Sequence, residues 1–292
     1  MEKCSKRAPE DYESHALREE LIMKIQEVMP RLGFGTYGRW KAEGIEAILC
    51  ALETGYRHLD TAQTYDTETE VGTALGQSGL SRAEIFLTTK ISTDNYAEGR
   101  LIPSLETSLS HLGVDQVDLT LLHWPSPNGA QPLAAYLEPL LEAQNRGLTK
   151  YIGVSNFTIA LLDQARSIAG EGRIATNQVE LNPFIQNKKL AQYCADHGIM
   201  VTCYQPIAHG RLGDDPVLVD TASRYDASPE QLALAFELAK GYAAIPTSGK
   251  RERIASNFAA QHLKLLPEDI ALIETRDRNL RAIAPDWGPD WD

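Results

Sequence analysis

The sequence predicts a (β/α)8 barrel, which is a TIM barrel of the α/β class. Eight candidate strands alternate with helices along the 292 residues, and no linker or low-complexity segment interrupts them. Three successive candidate strands end on an ionisable side chain, at Asp60, Lys90 and His123. Because parallel strands of a barrel end at one face, these side chains are expected to form a site there.

An open doubly wound sheet is the alternative for the same alternation of strands and helices. Its nucleotide-binding form carries a G-x-G-x-x-G motif in the first βα loop. The loop after Gly33-Phe-Gly-Thr-Tyr37 has no such motif. We therefore favour the closed barrel.

The N-terminal residues are expected to lie outside the barrel. Residues 1–20 mix both signs of charge without an apolar core, so they are neither a signal peptide nor a membrane span, and we interpret them as a flexible extension or a short surface helix. One barrel domain is then expected over residues 21–292. It would begin with a β-hairpin made of Leu21–Ile25 and Pro30–Phe34, and Gly33–Tyr37 would continue as the first barrel strand.

The other elements follow from apolar spacing and from Gly and Pro at their ends. Strands are predicted at Tyr56–Asp60, Ile85–Lys90, Val117–Leu122, Lys150–Val154, Ile174–Glu180, Ile199–Tyr204 and Tyr242–Ile245. Helices are predicted at Lys41–Thr54, Thr67–Gln77, Glu98–Leu112, Leu133–Arg146, Ile159–Ala169, Lys188–His197, Pro216–Tyr225, Pro229–Lys240, Arg251–Ala260 and Pro267–Thr275. The consecutive pair after the seventh strand and the last two helices are extra helices near the C-terminus.

Composition narrows the classes of partner. The formal net charge of −12 argues against binding to nucleic acid or to an anionic membrane surface. Cys4, Cys50, Cys194 and Cys203 form no CxxC pair and have no His cluster beside them, so neither a disulfide framework nor a metal site is predicted. A reducing cytoplasm is the simplest location, and we expect a monomer.

Several long motifs, in the right order, resemble the aldo-keto reductase family. They are Gly55-Tyr-Arg-His-Leu-Asp-Thr-Ala-Gln-Thr-Tyr65, Leu119-Thr-Leu-Leu-His-Trp-Pro125, Ile152-Gly-Val-Ser-Asn-Phe157 and Asn177-Gln-Val-Glu180. The segments Ile245-Pro-Thr-Ser248 and Ala284-Pro-Asp-Trp287 are most similar to the bacterial 2,5-diketo-D-gluconate reductase B branch, whose members also reduce methylglyoxal. The resemblance implies reduction of a small carbonyl compound by NADPH to give an alcohol and NADP+.

The resemblance also assigns catalytic roles. Tyr65 is the expected proton donor, and Lys90 would lower the pKa of its phenol. Asp60 would hold Lys90 in place, and His123 would position the carbonyl oxygen and share the proton transfer.

The cofactor is expected across the carboxyl ends of the later strands. By resemblance, Ser155, Asn156 and Gln178 would bind the nicotinamide carboxamide, and the ring of Tyr204 would stack on the nicotinamide. Thr36, Gln205, Pro206, Thr247, Ser248, Lys250, Arg253 and Asn257 complete the expected cofactor site.

The basic residue that contacts the 2′-phosphate of NADPH in many relatives is replaced in this sequence. Many relatives have a lysine where this chain has Thr247. Arg253 matches the family's phosphate-contacting arginine, and Lys250 and Arg251 are near enough in sequence to replace the lost lysine. NADPH is therefore expected over NADH.

Tyr37, Ser92 and Trp124 match positions that line the family's substrate pocket. Position 92 is commonly a tryptophan in relatives, so Ser92 predicts a larger pocket that accepts bulkier ketones. Two other functions stay open. One is a cofactor-sensing regulatory subunit with weak turnover, and the other is an aldolase that forms a Schiff base through Lys90.

Overall fold

The structure is a computed structural model and describes residues 24–292. It contains one sheet of eight parallel strands, in which each strand pairs with the next along the chain. The strands are β1 Phe34–Gly35, β2 His58–Asp60, β3 Phe86–Ile91, β4 Val117–Leu122, β5 Thr149–Ser155, β6 Ile174–Glu180, β7 Met200–Tyr204 and β8 Ala243–Ala244. This order confirms the predicted (β/α)8 fold.

Helices connect and cover the strands. They are α1 Ile25–Val28, α2 Lys41–Thr54, α3 Glu68–Gln77, α4 Leu101–Leu112, α5 Ala134–Asn145, α6 Ile159–Ala169, α7 Lys188–Asp196, α8 Pro216–Ser223, α9 Pro229–Ala239, α10 Arg251–Ala259 and α11 Pro267–Glu274. Short 3-10 turns occur at Gln63–Tyr65, Arg82–Glu84, Thr93–Asn95, Pro127–Gly129, Ala208–Asp214 and Ala260–His262. No helix within residues 24–292 is both long and apolar enough to span a bilayer.

The barrel closes where its shortest strands meet, and we call this junction the seam. Leu32, just before β1, forms a parallel bridge with Ala244 of β8. The amide of Gly33 donates to the carbonyl of Ala244 (2.9 Å), and the amide of Gly35 donates to that of Pro246 (3.0 Å). The chain leaving β1 therefore lies beside the chain leaving β8.

The predicted N-terminal hairpin is wrong over the residues that can be compared. Ile25–Val28 is a single helical turn, and residues 21–23 lie outside the described part of the chain. Ile25 and Met29 are buried together with Phe86, Leu119 and Met200 at the amino-terminal end of the barrel. Burial of these two side chains favours a helical turn over a strand, because Ile25 and Met29 are four residues apart and lie on one face of such a turn.

One buried acidic side chain in the core has no hydrogen-bond partner among residues 24–292. Glu237 of α9 is fully buried, and neither carboxylate oxygen has a hydrogen-bond partner. Burial raises the pKa of Glu237 well above its usual value, so the folded protein keeps this carboxyl protonated. Cys203 of β7 is also buried, and burial raises the pKa of its thiol.

Replacing Glu237 is expected to stabilise the protein increasingly as pH rises. Above the ordinary Glu value of 4.5, the unfolded chain loses this proton while the folded chain retains it, so stability falls with rising pH. Glu237→Met removes that loss, and its advantage should grow by up to about 1.4 kcal/mol per pH unit. Urea denaturation at pH 5 and pH 7 measures the effect, with the exposed Glu138→Met as the matched control. An advantage that does not change with pH would contradict the assignment.

Candidate active site

Four of the predicted site residues come together at the carboxyl face of the barrel. Asp60 is the last residue of β2, Lys90 lies in β3, and His123 follows β4 directly. Tyr65 ends the 3-10 turn that follows β2. The alternation of short apolar strands with helices thus brings to one place residues up to 63 positions apart, as the span from Asp60 to His123 shows.

Lys90 is the central residue of this group. Its side chain is fully buried, and Nζ donates to Oδ1 of Asp60 (2.5 Å), to the carbonyl of Thr61 (2.9 Å) and to Oη of Tyr65 (3.2 Å). The second oxygen of Asp60 accepts from Nε2 of Gln178 at 2.8 Å. Burial alone would lower the pKa of Lys90, but Asp60 and Tyr65 outweigh burial and raise that pKa. The amine is therefore held as an ammonium.

The phenol of Tyr65 is held in its protonated form. Burial raises the pKa of Tyr65, and the attraction of the Lys90 ammonium only partly offsets this. Lys90 therefore acts on the pKa of Tyr65 in the predicted direction, but burial acts against it and has the larger effect. The reason is that desolvation penalises the phenolate more than one ammonium stabilises it.

His123 is a neutral imidazole at physiological pH. Burial, assisted by Lys90, lowers the pKa of His123 to about 3. Its Nδ1 lies 3.2 Å from the hydroxyl of Thr64, which can donate to this nitrogen. That contact favours the tautomer with the proton on Nε2, so the ring can donate a hydrogen bond without being an acid. Its share in the proton transfer stays a prediction.

Two residues that the sequence analysis did not single out hold the turn that carries Tyr65. Trp40 donates from its indole to the carbonyl of Tyr65 at 2.7 Å. Gln63 accepts from the amide of Ser92 (2.8 Å) and donates to the hydroxyl of Ser104 (3.1 Å). Gln63 lies within the Gly55–Tyr65 motif, which was the available signal, whereas Trp40 had none.

A cavity of about 980 Å³ opens beside Tyr65 and His123 and extends over the carboxyl ends of β5 to β8. Its size is at the upper end of the usual range for small-molecule and cofactor sites. Most of the predicted cofactor residues line it, namely Ser155, Asn156, Gln178, Tyr204, Gln205, Pro206, Thr247, Ser248, Arg253 and Asn257. Arg39 and Ile283 also line it and were not predicted.

Side chains on neighbouring strands form a hydrogen-bonded wall of this cavity. Ser155 and Gln178 are paired in register between β5 and β6, and the hydroxyl of Ser155 donates to the carbonyl of Gln178 at 2.8 Å. Asn156 has a left-handed backbone (φ 63°) and accepts from the hydroxyl of Tyr204 at 2.8 Å. Burial raises the pKa of Tyr204, so this hydroxyl remains a donor. The wall is therefore fixed before any ligand enters.

Two predicted cofactor residues do not line the cavity. Thr36 is fully buried, and its hydroxyl contacts the carbonyl of Asp60 (3.0 Å) and the hydroxyl of Thr67 (3.1 Å), so it supports β2. Lys250 is exposed at the N-terminal end of α10. Arg251, next along the chain, forms an exposed ion pair with Glu53 at 3.2 Å. Neither cation is among the residues that line the cavity.

Tyr37 and Trp124 line the cavity, whereas Ser92 does not. The ring of Tyr37 packs edge-on against Tyr65 at 5.2 Å. Ser92 is 6% exposed and its hydroxyl accepts from the amide of Asp94 at 3.3 Å, which caps the following turn. The short polar side chain is thus used by its own loop, and a larger pocket that follows from serine at this position stays a prediction.

The C-terminal segment packs over the same face. Both carboxylate oxygens of Glu180 in β6 accept from the amides of Ala282 and Ile283, at 2.8 to 3.0 Å. Further along, Trp287 packs edge-on against Trp124 with ring centres 5.2 Å apart. The anchor at Glu180 thereby places Ile283 in the cavity wall.

Comparison with known proteins agrees with this geometry. The model of the aldo/keto reductase family matches residues 31–278. Methylglyoxal reductase DkgB of Escherichia coli O157:H7 is 44% identical over 265 residues, which are 90% of this chain and 99% of that protein. Methylglyoxal reductase DkgA of Escherichia coli K12 is 36% identical over 275 residues, covering 93% of this chain and 97% of the relative.

A similar solved structure is a protein assigned as 2,5-diketo-D-gluconic acid reductase B. It superposes with a TM-score of 0.87 at 36% identity and covers 90% of this chain and 94% of that one. The matched family region contains β1 to β8 and the group formed by Asp60, Tyr65, Lys90 and His123. The chain belongs to the aldo-keto reductase family.

Proposed function

We propose that this protein is an NADPH-dependent reductase that converts aldehydes or ketones to alcohols with Tyr65 as the proton donor. The observation that carries the proposal is the buried Lys90 ammonium, which contacts both Asp60 and the phenol oxygen of Tyr65 beside an open cavity. Reduction of a carbonyl needs a hydride at carbon and a proton at oxygen. NADPH supplies the hydride when it is bound, and the protein must supply the proton.

Tyr65 is suited to deliver that proton. Its raised pKa keeps the phenol protonated at neutral pH, so the acid is present when the substrate binds. As the proton leaves, charge develops on the phenol oxygen, and the Lys90 ammonium at 3.2 Å stabilises it. Asp60 keeps the ammonium in position through the 2.5 Å contact, and the carbonyl of Thr61 fixes a second N–H direction.

His123 orients the substrate. A neutral ring with its proton on Nε2 donates a hydrogen bond to the carbonyl oxygen and polarises it. Its ring lies edge-on to Tyr65 with centres 5.5 Å apart, so both groups can reach one oxygen atom. Tyr37 and Trp124 then supply aromatic walls beside these two groups.

The cavity suits a nicotinamide dinucleotide in its chemistry. Polar side chains of Ser155, Asn156 and Gln178 would hold the carboxamide at the end near Tyr65, and the ring of Tyr204 would cover one face of the nicotinamide. At the far end, the hydroxyl of Thr247 is buried without a hydrogen-bond partner in the described chain, and Arg253 is exposed on the cavity wall. An unpartnered hydroxyl and a cation are the groups that a phosphorylated ligand would satisfy.

The substrate class is small carbonyl compounds, with dicarbonyls and keto sugars first. The names of the relatives, methylglyoxal reductase and 2,5-diketo-D-gluconic acid reductase B, support this choice. Reduction of bulkier ketones, predicted from serine at position 92, stays a prediction that the screen below tests. A monomeric enzyme of the cytoplasm stays a prediction.

An aldolase acting through Lys90 is disfavoured by the same contacts. A Schiff-base lysine must be a neutral amine with room for a carbonyl carbon. Lys90 has a raised pKa, is fully buried and uses its three N–H directions on Asp60, Thr61 and Tyr65. A regulatory subunit would not require this arrangement of Lys90. Measurable turnover therefore distinguishes the reductase from a regulatory subunit.

The test is a screen of NADPH oxidation over dicarbonyls, keto sugars, aromatic aldehydes and alicyclic ketones, run in both directions. Consumption of NADPH with formation of the alcohol supports the reductase. Borohydride trapping of a substrate adduct on Lys90 would support the aldolase instead. Tight binding of NADPH without turnover on any substrate would support the regulatory function.

Arg253→Ala is expected to weaken the binding of NADPH much more than the binding of NADH. A charge-assisted hydrogen bond of about 1.5–3 kcal/mol corresponds to roughly 10- to 100-fold, so the apparent constant for NADPH should rise at least about tenfold. The constant for NADH should remain nearly unchanged. Arg251→Ala is the matched control, because that side chain pairs with Glu53 on the exposed side of the same helix. Equal losses for both cofactors would mean that Arg253 supports the fold.

A further inference from the structure

Arg39 is a half-buried cation that forms no ion pair within the described part of the chain. It lies in the loop between β1 and α2, and its guanidinium lines the cavity. Its Nε atom is enclosed and has no hydrogen-bond partner, and no carboxylate of residues 24–292 forms an ion pair with it. Burial lowers the pKa of Arg39, which means that the charged form is poorly solvated. Such a group normally has an anion as its partner.

The position of the guanidinium identifies the end of the cavity that it serves. A β-carbon added to Gly249 would lie 2.4 Å from Nη1 of Arg39, so the guanidinium packs on the loop that leaves β8. That loop carries the unpartnered hydroxyl of Thr247 and also Ser248, and both residues line the cavity. Arg39 therefore reaches across the seam from the β1 side to the β8 side.

The local charges also point to an anionic ligand. The chain has 40 acidic and 28 basic residues, yet Arg39 and Arg253 both line the cavity without an ion-pair partner in the described chain, although Glu230 lines it as well. The neighbouring cation Arg251 is occupied by Glu53, and Lys250 does not line the cavity. Two unpaired guanidinium groups and a free hydroxyl match the donors that bind a phosphate monoester.

We propose that Arg39 binds the 2′-phosphate of NADPH together with Arg253, and so supplies the cation that Thr247 does not. The inference rests on the proposed function and adds a residue that determines cofactor specificity. It places that residue on the first βα loop, whereas Arg253 comes from the last helix that borders the cavity. The phosphate would then be held from both sides of the seam.

Equilibrium binding tests the inference without turnover. Calorimetric titration of the full chain with 2′,5′-ADP, NADP+ and NAD+ compares Arg39→Met with wild type, and Arg251→Met is the matched control. Arg39→Met should weaken the binding of 2′,5′-ADP and NADP+ by at least about tenfold, and the binding of NAD+ by less than about twofold. Arg251→Met should leave all three constants unchanged.

A second variant probes the contact from the other side. Gly249→Val leaves the charge in place but requires the guanidinium to move, because the added β-carbon would overlap with Nη1. It should therefore weaken the binding of 2′,5′-ADP, as Arg39→Met does. Combining the two substitutions should add little to either alone, because both remove the same contact.

Several outcomes would overturn the inference. Equal weakening of NADP+ and NAD+ would assign Arg39 to a phosphate common to both cofactors, and unchanged constants would remove it from the site. Failure of wild type to bind 2′,5′-ADP would also reject it. Wild type that binds 2′,5′-ADP but reduces no carbonyl compound would reject the proposed function and leave the role of Arg39 intact.

Discussion

Tyr65→Phe is expected to lower carbonyl reduction by at least about 100-fold while binding of NADPH is retained. The substitution removes one oxygen atom, the atom that Lys90 contacts at 3.2 Å, and general acid catalysis is worth roughly 10²–10⁴-fold. The ring remains packed between Tyr37 and His123, so the cavity keeps its shape. Steady-state rates on a dicarbonyl substrate give the loss in kcat, and quenching of tryptophan fluorescence gives the binding constant for NADPH.

Tyr37→Phe is the matched control for this experiment. Tyr37 is the neighbouring phenol, its ring packs edge-on against Tyr65, and it is 58% exposed. Its hydroxyl has no part in the proposed proton transfer, so kcat should change by less than about threefold. Turnover of Tyr65→Phe at a rate close to that of wild type would exclude Tyr65 as the acid.

Lys90→Met is expected to affect both stability and catalysis. Asp60 is 1% exposed and would lose its cation, and breaking a buried pair by removing one partner costs about 3–5 kcal/mol. The phenolate of Tyr65 would lose its stabilising charge, so the rate should fall by at least about 100-fold. Urea denaturation and steady-state kinetics measure the two effects separately.

The double variant Asp60→Asn with Lys90→Met distinguishes the role of Lys90 in stability from its role in catalysis. It removes both charges, so most of the lost stability should return because no uncompensated carboxylate remains. Activity should stay low because the ammonium is still absent. If activity recovers together with stability, Lys90 serves the fold and has no part in the proton transfer.

The sequence predicted most of the fold because apolar spacing and helix ends are local signals. Val117–Leu122 and Ile174–Glu180 are observed with the predicted bounds, as is the helix Lys41–Thr54. The N-terminal hairpin was wrong because the apolar residues around position 25 fit either a strand or one helical turn, and contacts with Phe86 and Met200, distant in sequence, decide between them.

The sequence located the residues at strand ends in the site, but it did not show which loop side chains face the cavity. Asp60, Lys90 and His123 were found because each comes at the end of a strand, and Tyr65 because it lies in a long motif. Whether a side chain faces the cavity depends on its loop, and the hydroxyl of Ser92 caps its own turn while that of Thr36 bonds to β2. Arg39 could have been noticed as a basic residue in the first βα loop of an acidic chain, but its contact with Gly249 is tertiary.

The short seam between β8 and β1 has a consequence for local opening of the barrel. Each of these strands has two residues, so few backbone hydrogen bonds must break for the amides of Gly33, Gly35 and Ala244 to exchange with deuterium. A ligand that contacts the loops on both sides of the seam binds the closed barrel only, and it suppresses opening in proportion to its occupancy. Hydrogen exchange at these three amides therefore measures occupancy of the cavity. It does so even in a variant that has lost catalytic activity, such as Tyr65→Phe.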